Sequence, residues 1–294
     1  MTDERATDER ATDERATVLA EDGTPIVVHI TGPDAGVPVV LLHGVGSSSV
    51  TYDWLLPDLE GRRVYRVDHR GHGDSGRKDG TYTLPFYFDD AVRVLEELVG
   101  RPAVLAGFSL GGMVAWRIAQ RRPDLVRGVF LEDPIVFIEK TYQGPLPEIL
   151  RGTIEQEKSW AARGLTLDEA TEELGRNPAG PDLTMADVLQ PDGLRGLALS
   201  TIKRDRGTME AAIDSSMSQG IDTTSPLLVP ALVLAAGDEG GAAFPTEDAA
   251  VIARSHPDIE LHKVYDAGHQ VHNSFAGREI YHDLLLEFIR RFDD

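Results

Sequence analysis

The stretch Val104–Gly112, VLAGFSLGG, decides the fold. Its first residues are apolar and indicate the end of a short buried strand, and a helix-like run follows from Met113. Between the two lies a G-x-S-x-G motif, Gly107–Gly111, which in a strand–turn–helix context is typical of a nucleophile elbow. Glycines two residues either side of the serine leave room for a close strand–helix approach. The pattern predicts that Ser109 stands exposed above a sheet, at the positive end of a helix.

Length and composition favour one large α/β domain or a core with an inserted subdomain. The chain has 294 residues, of which 41% are hydrophobic, so a sizeable core is available. It contains no cysteine, which excludes disulfides and thiolate metal sites and is compatible with a reducing cytoplasm. An N-terminal apolar signal region and a run of 18 apolar residues are also missing. We therefore expect a soluble, cytoplasmic protein.

The charge of the chain narrows the range of partners. The formal net charge is −20 at pH 7. A surface this acidic repels nucleic acid and anionic membranes and favours solubility. We therefore expect a small-molecule partner, with neither nucleic acid nor membrane bound, and the sequence leaves the oligomeric state open.

The amino-terminal segment repeats one short motif. Residues 2–16 read TDERATDERATDERA, in which no apolar residue is larger than alanine. Such a composition cannot bury enough apolar surface to fold alone. The sequence therefore predicts a disordered tail over residues 1–16 without a catalytic role.

Strand-like and helix-like segments alternate through most of the chain. An Asp-Gly pair at 22–23 between two β-rich runs predicts a hairpin at the start. The predicted strands are 17–20, 25–30, 37–42, 64–67, 103–106, 126–131, 230–237 and 259–265. Alternation of this kind predicts a mostly parallel, eight-stranded sheet covered by helices on both faces.

A helical insertion interrupts the alternation after the sixth strand. Four helices broken by proline and glycine are predicted there, at 145–162, 166–175, 184–190 and 193–216. Thr166 and Glu169 have the spacing of a capping box at the start of the second helix. We predict a cap over residues 134–225, above a core of residues 17–133 and 226–294, near the strand ends where α/β sites lie.

Four motifs together resemble the α/β-hydrolase superfamily. They are LLHGVGSSS at 41–49, DHRGHGDS at 68–75, GFSLGG at 107–112 and DAGHQ at 266–270. The motifs occur in the family's order and anchor nearly all of residues 20–294 apart from the insertion. The resemblance implies an α/β-hydrolase fold with a helical cap and a serine hydrolase activity.

The resemblance also implies the nucleophile and its base. Ser109 is the expected nucleophile, and because a serine hydroxyl is weakly nucleophilic at pH 7 it needs an adjacent base. His269 follows the last predicted strand, in agreement with the family order of nucleophile, acid and histidine. His272, three residues further on, is the less favoured candidate for the base.

Backbone groups complete the expected site. In this family two N–H donors bind the oxyanion, here those of Leu110, directly after the nucleophile, and Val45, after His43-Gly44. His43, His69 and His72 lie in the loops beside this site, and the family pattern gives them structural roles.

The catalytic acid is where the chain departs from the common pattern. The usual acid position after strand 230–237 is occupied here by Gly240, and Asp238 lies two residues before it. The second known position is the end of the strand that follows the nucleophile helix, which holds Asp133. This arrangement resembles haloalkane dehalogenases and lactone hydrolases. Asp133 is the preferred acid, and Asp238 and Glu132 are the alternative candidates.

A serine at the elbow selects acyl-transfer chemistry. Dehalogenases and epoxide hydrolases of this superfamily use an aspartate there, so hydrolysis of a carboxylic ester or lactone through an acyl-enzyme is the favoured function. The sequence shows no P-loop, GxGxxG unit or HExxH site, and we expect neither a cofactor nor a metal. A ligand-binding receptor with little turnover, an acyltransferase and a C–C bond hydrolase remain possible functions. We expect a small-to-medium hydrophobic substrate under the cap, with candidate lining residues Tyr52, Trp54, Phe137, Trp160 and Met217.

Overall fold

An eight-stranded sheet forms the centre of the protein. The computed structural model describes residues 13–136 and 146–293. The strands are β1 (Glu14–Leu19), β2 (Pro25–Thr31), β3 (Val39–Leu42), β4 (Val64–Val67), β5 (Ala103–Phe108), β6 (Val126–Glu132), β7 (Pro178–Gly180), β8 (Leu183–Thr184), β9 (Ala231–Ala236) and β10 (Glu260–Val264). Strands β7 and β8 pair only with each other, and this small hairpin is not predicted by the sequence.

The strand order places the serine motif in the middle of the sheet. The order is β1-β2-β4-β3-β5-β6-β9-β10, and β2 runs antiparallel to both of its neighbours while the remaining pairs are parallel. The predicted mostly parallel, eight-stranded sheet is confirmed. The carboxyl ends of β3, β5 and β6 lie side by side, with Gly107 paired to both Leu42 and Leu131. The loops that follow these three strands therefore meet at one edge.

Helices cover both faces of the sheet and form most of the described part of the insertion. They are a 3₁₀ segment (Ser49–Leu59), α1 (Leu84–Arg93) with a π-helical continuation (Val94–Val99), α2 (Leu110–Arg121), α3 (Leu146–Arg163), α4 (Leu167–Gly175), α5 (Met185–Val188), α6 (Pro191–Lys203), α7 (Arg206–Ile213), α8 (Thr246–Ser255) and α9 (Arg278–Arg290). The predicted capping box is present, since Thr166 and Glu169 each bond the other's backbone N–H. No helix within the described ranges has the length and apolarity needed to cross a membrane.

The long helix predicted over 193–216 is wrong, because the chain forms two helices there. Arg204 has an extended backbone, with φ −79° and ψ 160°, which ends α6. Asp205 then caps α7, and its side chain accepts a hydrogen bond of 2.8 Å from the N–H of Gly207. Aspartate is among the preferred N-cap residues, so the break has a local cause.

The first strand begins inside the predicted tail. Glu14 pairs with Ile30 in the antiparallel β1–β2 ladder, and its carboxylate accepts a hydrogen bond of 2.6 Å from Arg63. The prediction of a disordered segment through residue 16 is therefore wrong for residues 14–16. The cause is tertiary, since β2 offers these residues a partner that their composition does not reveal. Residues 1–12 of the predicted tail lie outside the described residues.

The core consists of apolar layers on the two faces of the sheet. In β3, Val40 and Leu42 belong to one buried cluster, and Val39 and Leu41 to the second. Strands buried on both faces explain the continuous apolar runs in the sequence. The insertion has a small core of its own, formed by Trp160, Ala170, Leu174, Leu189, Leu194 and Ala198.

The serine turn depends on glycine, and this gives a stability prediction. A Cβ on Gly111 would lie 2.0 Å from the carbonyl oxygen of Leu42, so Gly111→Ala forces β3 and α2 apart. We expect Gly111→Ala to lower the free energy of unfolding by about 3 kcal/mol. Gly152→Ala is the control, because a Cβ there meets no atom within 4 Å and alanine favours the helix by about 0.5–1 kcal/mol.

Urea denaturation of the parent and both variants measures the two effects. Equal midpoints for the parent and Gly111→Ala would show that the close approach of β3 and α2 is not required for stability.

Candidate active site

Ser109 occupies a strained turn between β5 and α2. Its backbone has φ 52° and ψ −108°, a conformation that residues with a side chain rarely adopt. The turn is fixed by neighbouring strand ends: Ser109 N–H donates to the carbonyl of Glu132 at 2.9 Å, and Gly111 N–H donates to that of His43 at 3.1 Å. A Cβ on Gly107 would lie 2.3 Å from the carbonyl oxygen of Gly111, so both motif glycines are needed for this packing.

Three of the predicted site residues lie in a hydrogen-bonded row. Ser109 Oγ is 3.0 Å from His269 Nε2, and His269 Nδ1 is 2.6 Å from Asp133 Oδ2. The three come from separate loops, after β5, β10 and β6. Asp133 is fully buried, while the His269 side chain is one-third exposed. This order of hydroxyl, imidazole and carboxylate can move a proton from the serine to the histidine and hold the resulting charge.

The Asp133 carboxylate is held by backbone donors as well as by the histidine. It accepts hydrogen bonds from the N–H groups of Ala236 at 3.1 Å, Ala243 at 2.7 Å and Phe244 at 3.1 Å. Its own backbone has φ 40°, which turns the chain sharply at the end of β6. Charge-assisted bonds of this kind stabilise the ionised carboxylate and fix its orientation. The Asp133 carboxylate is thereby held in one orientation towards His269.

Asp238, the acid candidate after β9, lies away from the histidine. Its carboxylate accepts hydrogen bonds from the N–H of Thr246 at 3.0 Å and from Thr246 Oγ1 at 2.6 Å, and it pairs with Lys263 at 2.5 Å. Hydrogen bonds from Lys263 and Thr246 lower the pKa of Asp238 to about 2. Among the described contacts, none joins Asp238 to His269, because these partners hold Asp238 at the start of α8.

Glu132 and His272 bind each other in a buried network behind the site. His272 Nδ1 is 2.7 Å from Glu132 Oε2, and its Nε2 is 2.7 Å from Thr51 Oγ1. All three residues are buried, and Asn273 donates to the same threonine oxygen at 3.0 Å. Glu132 as the acid and His272 as the base, both considered from the sequence, are therefore not supported. Sequence reasoning missed this network, although Glu132 and His272 each lie close in sequence to a residue of the hydrogen-bonded row.

Neutral histidines join the two loops beside the serine. His43 Nε2 accepts from the N–H of His69 at 3.1 Å, and its Nδ1 donates to the carbonyl of Gly44 at 2.8 Å. His72 Nδ1 donates to the carbonyl of Arg70 at 2.9 Å, and its Nε2 accepts a longer bond of 3.4 Å from Gly46 N–H. In each of these two rings Nε2 is the acceptor and Nδ1 the donor, so the arrangement requires uncharged rings.

The predicted backbone donors lie at the same site. Val45 belongs to the turn Gly44–Ser47, which is closed by a 3.1 Å bond from Ser47 N–H to the Gly44 carbonyl and contains Gly46 at φ 79°. Leu110 is the first residue of α2, so its N–H has no acceptor within the helix. Val45 and Leu110 both border the cavity that contains Ser109 and His269.

That cavity has a volume of about 550 Å³ and is closed partly by the insertion. Most of its wall is apolar, with Met113, Ile135, Leu150, Leu174, Leu197, Met209 and Met217 among the lining residues. Of the five predicted lining residues, Met217 lines it. Tyr52 instead packs in the core below the sheet, Trp54 lies under the Arg278 guanidinium, and Trp160 donates to Glu173. Phe137 lies outside the described residues.

One group of side chains has the spacing of a metal site. Ligand atoms of His29, Asp68 and Asp74 lie within 4.8 Å of one another in the described part of the chain. The Asp68 oxygens already accept hydrogen bonds from the N–H groups of Ser49 at 2.8 Å and Asp74 at 2.9 Å. These bonds fix the loop after β4, and the expected absence of a metal stays a prediction.

Comparison with known proteins identifies the family. The sequence profile of the "Alpha/beta hydrolase family" matches residues 39–281, which is most of the chain. The chain belongs to this family. An sn-1-specific diacylglycerol lipase of Mus musculus is 25% identical over 264 residues, covering 85% of this chain and 80% of that protein. The enol-lactonase of Burkholderia xenovorans has a similar fold, with a TM-score of 0.71, 18% identity, and coverage of 94% of this chain and 100% of that one.

A further relative shows higher identity over a shorter segment. A serine hydrolase-like protein of Danio rerio is 35% identical over 130 residues, or 43% of this chain. The chain spans 40% of the length of that protein. Such partial matches support membership of the family and leave the activity and the substrate as proposals.

The buried histidines predict acid sensitivity. Burial lowers the pKa of His43, lowers that of His69 well below its ordinary value, and lowers that of His72 to about 3. The unfolded chain, with histidine pKa near 6.5, therefore binds more protons below that pH, and folding stability falls as the pH falls from about 6.5 towards 3. We expect each of these three buried histidines to lower the free energy of unfolding by about 1 kcal/mol when the pH falls from 6 to 5.

Urea denaturation at pH 6 and pH 5 tests this with two variants. In His72→Gln the free energy of unfolding should decrease between pH 6 and pH 5 by about 1 kcal/mol less than in the parent. In the control His262→Gln, at an exposed position, the decrease should equal that of the parent. An unchanged loss in His72→Gln would contradict the neutral-histidine account.

Proposed function

We propose that the chain is a serine hydrolase that cleaves a carboxylic ester or lactone through an acyl-enzyme. The observation that carries the proposal is the row of hydrogen bonds from Ser109 Oγ to His269 Nε2 at 3.0 Å and from His269 Nδ1 to Asp133 Oδ2 at 2.6 Å. Names of the compared proteins, a diacylglycerol lipase and an enol-lactonase, support the reaction class. The proposed mechanism uses only groups of this chain and water.

In the first half-reaction Ser109 Oγ attacks the scissile carbonyl while His269 Nε2 takes the hydroxyl proton. Asp133 keeps the imidazole in the required tautomer and stabilises the imidazolium. The tetrahedral oxyanion accepts hydrogen bonds from the N–H groups of Val45 and Leu110. His269 then gives its proton to the leaving alkoxide, and the acyl group remains on the serine.

The second half-reaction releases the acid. A water attacks the acyl carbonyl while His269 accepts a proton from it, and the same two N–H groups bind the second oxyanion. Collapse of this intermediate returns the proton to Ser109 Oγ and frees the carboxylic acid. The partly exposed edge of His269 leaves a path for this water.

The cavity supports a small-to-medium substrate with apolar parts. Its volume of about 550 Å³ and its methionine- and leucine-rich wall suit an acyl chain or a lactone ring. Residues of the inserted helices, among them Leu150, Leu197 and Met209, form one side of the cavity. We infer that the insertion acts as a cap that contacts the substrate.

Exchange of the two aspartates among the candidate acids for asparagine tests the mechanism. We expect Asp133→Asn to lower kcat/KM for a p-nitrophenyl ester by about 10³- to 10⁴-fold, because the amide favours the wrong histidine tautomer. Asp238→Asn is the matched control, with the same chemical change in a carboxylate bound to Thr246 and Lys263, and should stay within about threefold of the parent.

The opposite result, a large loss in Asp238→Asn with Asp133→Asn close to the parent, would contradict the assignment of the acid. A parent that binds the ester without turnover would instead favour a receptor-like protein.

A further inference from the structure

One permanent charge lies in the wall of the substrate cavity. Arg204 is the single lysine, arginine, aspartate or glutamate among the described residues that line it. Its side chain is 0% exposed, in a chain whose net charge is −20. A guanidinium remains protonated even when buried, so the wall of the cavity contains a desolvated cation. Such a charge is costly to bury unless acceptors surround it.

The acceptors around Arg204 are incomplete in the described part of the chain. Its Nη1 donates to Thr201 Oγ1 at 3.1 Å, and its Nη2 donates to Glu157 Oε2 at 2.9 Å. Its buried Nε has no hydrogen-bond partner there. A guanidinium has five N–H donors, so most of its hydrogen-bonding capacity is left for another group. A ligand carboxylate offers two oxygens that match this geometry.

The charge around Arg204 is also unbalanced. Glu157 is shared, because Arg206 Nη2 lies 3.2 Å from its Oε1 while Arg204 binds Oε2. One carboxylate therefore faces two guanidinium groups, and a second anion would restore balance. Arg206 does not line the cavity and is 40% exposed, so of these two guanidinium groups only that of Arg204 belongs to the cavity wall.

Arg204 is close to the reacting end of the cavity. Its Nη1 lies 3.7 Å from the position that a Cβ on Gly46 would occupy. Gly46 directly follows Val45, whose N–H is a proposed oxyanion donor, and both line the same cavity as Ser109. An anion bound at Arg204 is thus separated from the scissile carbonyl by only a short chain. Gln156 and Asn177, polar residues in the same wall, already satisfy each other with bonds of 3.1 and 2.9 Å.

We infer that Arg204 binds a carboxylate of the substrate, so that the preferred substrates are esters or lactones carrying a second, ionised carboxyl group. This inference rests on the proposed hydrolase function and specifies its substrate class. The apolar wall holds the connecting carbon chain, while Arg204 selects for the anion.

Matched pairs of esters test the inference. Monomethyl glutarate and methyl pentanoate differ in a carboxylate on the acyl side, and 4-acetoxybutanoate and butyl acetate differ in one on the alcohol side. We expect the parent to hydrolyse at least one anionic ester with a kcat/KM about tenfold or more above that of its neutral partner. Arg204→Gln should reduce this anionic-to-neutral ratio by about 30-fold or more, as expected for loss of a buried charge partner.

Two further variants separate recognition from folding. Arg206→Gln also removes a guanidinium that pairs with Glu157, but one that lies outside the cavity. Its ratio of anionic to neutral ester hydrolysis should equal that of the parent. Arg204→Lys retains the positive charge but lacks the planar set of donors of a guanidinium. Its preference for the anionic ester should lie between those of Arg204→Gln and the parent.

Three results overturn the inference: no anionic preference in the parent, equal loss of anionic and neutral ester hydrolysis in Arg204→Gln, or the same change of ratio in Arg206→Gln. In each of these the neutral esters are still hydrolysed by the parent, so the proposed function stands. A parent that hydrolyses none of the four esters, and no p-nitrophenyl ester, refutes the proposed function together with the inference.

Discussion

The close packing of β5, α2 and β3 around Ser109 is the constraint on which the rest of the site depends. The chain reverses from strand to helix within one residue at φ 52°, and this is possible only because glycine backbone lies against the Leu42 carbonyl. The sheet, which is packed on both faces, keeps the Ser109 backbone in this strained conformation. In return the serine hydroxyl lies at the carboxyl edge of the sheet and at the start of a helix, where the dipole favours negative charge.

The loops that follow the neighbouring strands supply the other groups that surround Ser109. Asp133 directly follows β6, and its carboxylate is fixed by three backbone N–H groups, while β3 leads into the turn that contains Val45. The loop after β10 brings His269 between Ser109 and Asp133. Each group lies in a loop that follows a strand, and hydrogen bonds fix its position, so little reorganisation is needed if charge develops there. Behind these groups, Glu132, the residue before Asp133, forms a buried pair with His272.

Much of the fold and the core of the site could be predicted from sequence, because both are encoded locally. Apolar runs separated by helical periods specify the sheet, and the G-x-S-x-G turn identifies Ser109 by its steric requirements. Features that depend on contacts between residues distant in the sequence could not be predicted from local patterns. Glu14 joins β1 only because β2 is available, and the bond of His269 to Asp133 rather than to Asp238 depends on which loops meet. Arg204 becomes part of the cavity wall at the residue where α6 ends.

The most direct test of the central claim is the intact mass of the protein after exposure to a fluorophosphonate, which reacts with an activated serine. We predict one adduct on the parent and none on Ser109→Ala, because the hydroxyl lies 3.0 Å from Nε2 of His269, its proposed base. An unmodified parent, or an adduct that persists in Ser109→Ala, would contradict the assignment of Ser109 as the activated nucleophile.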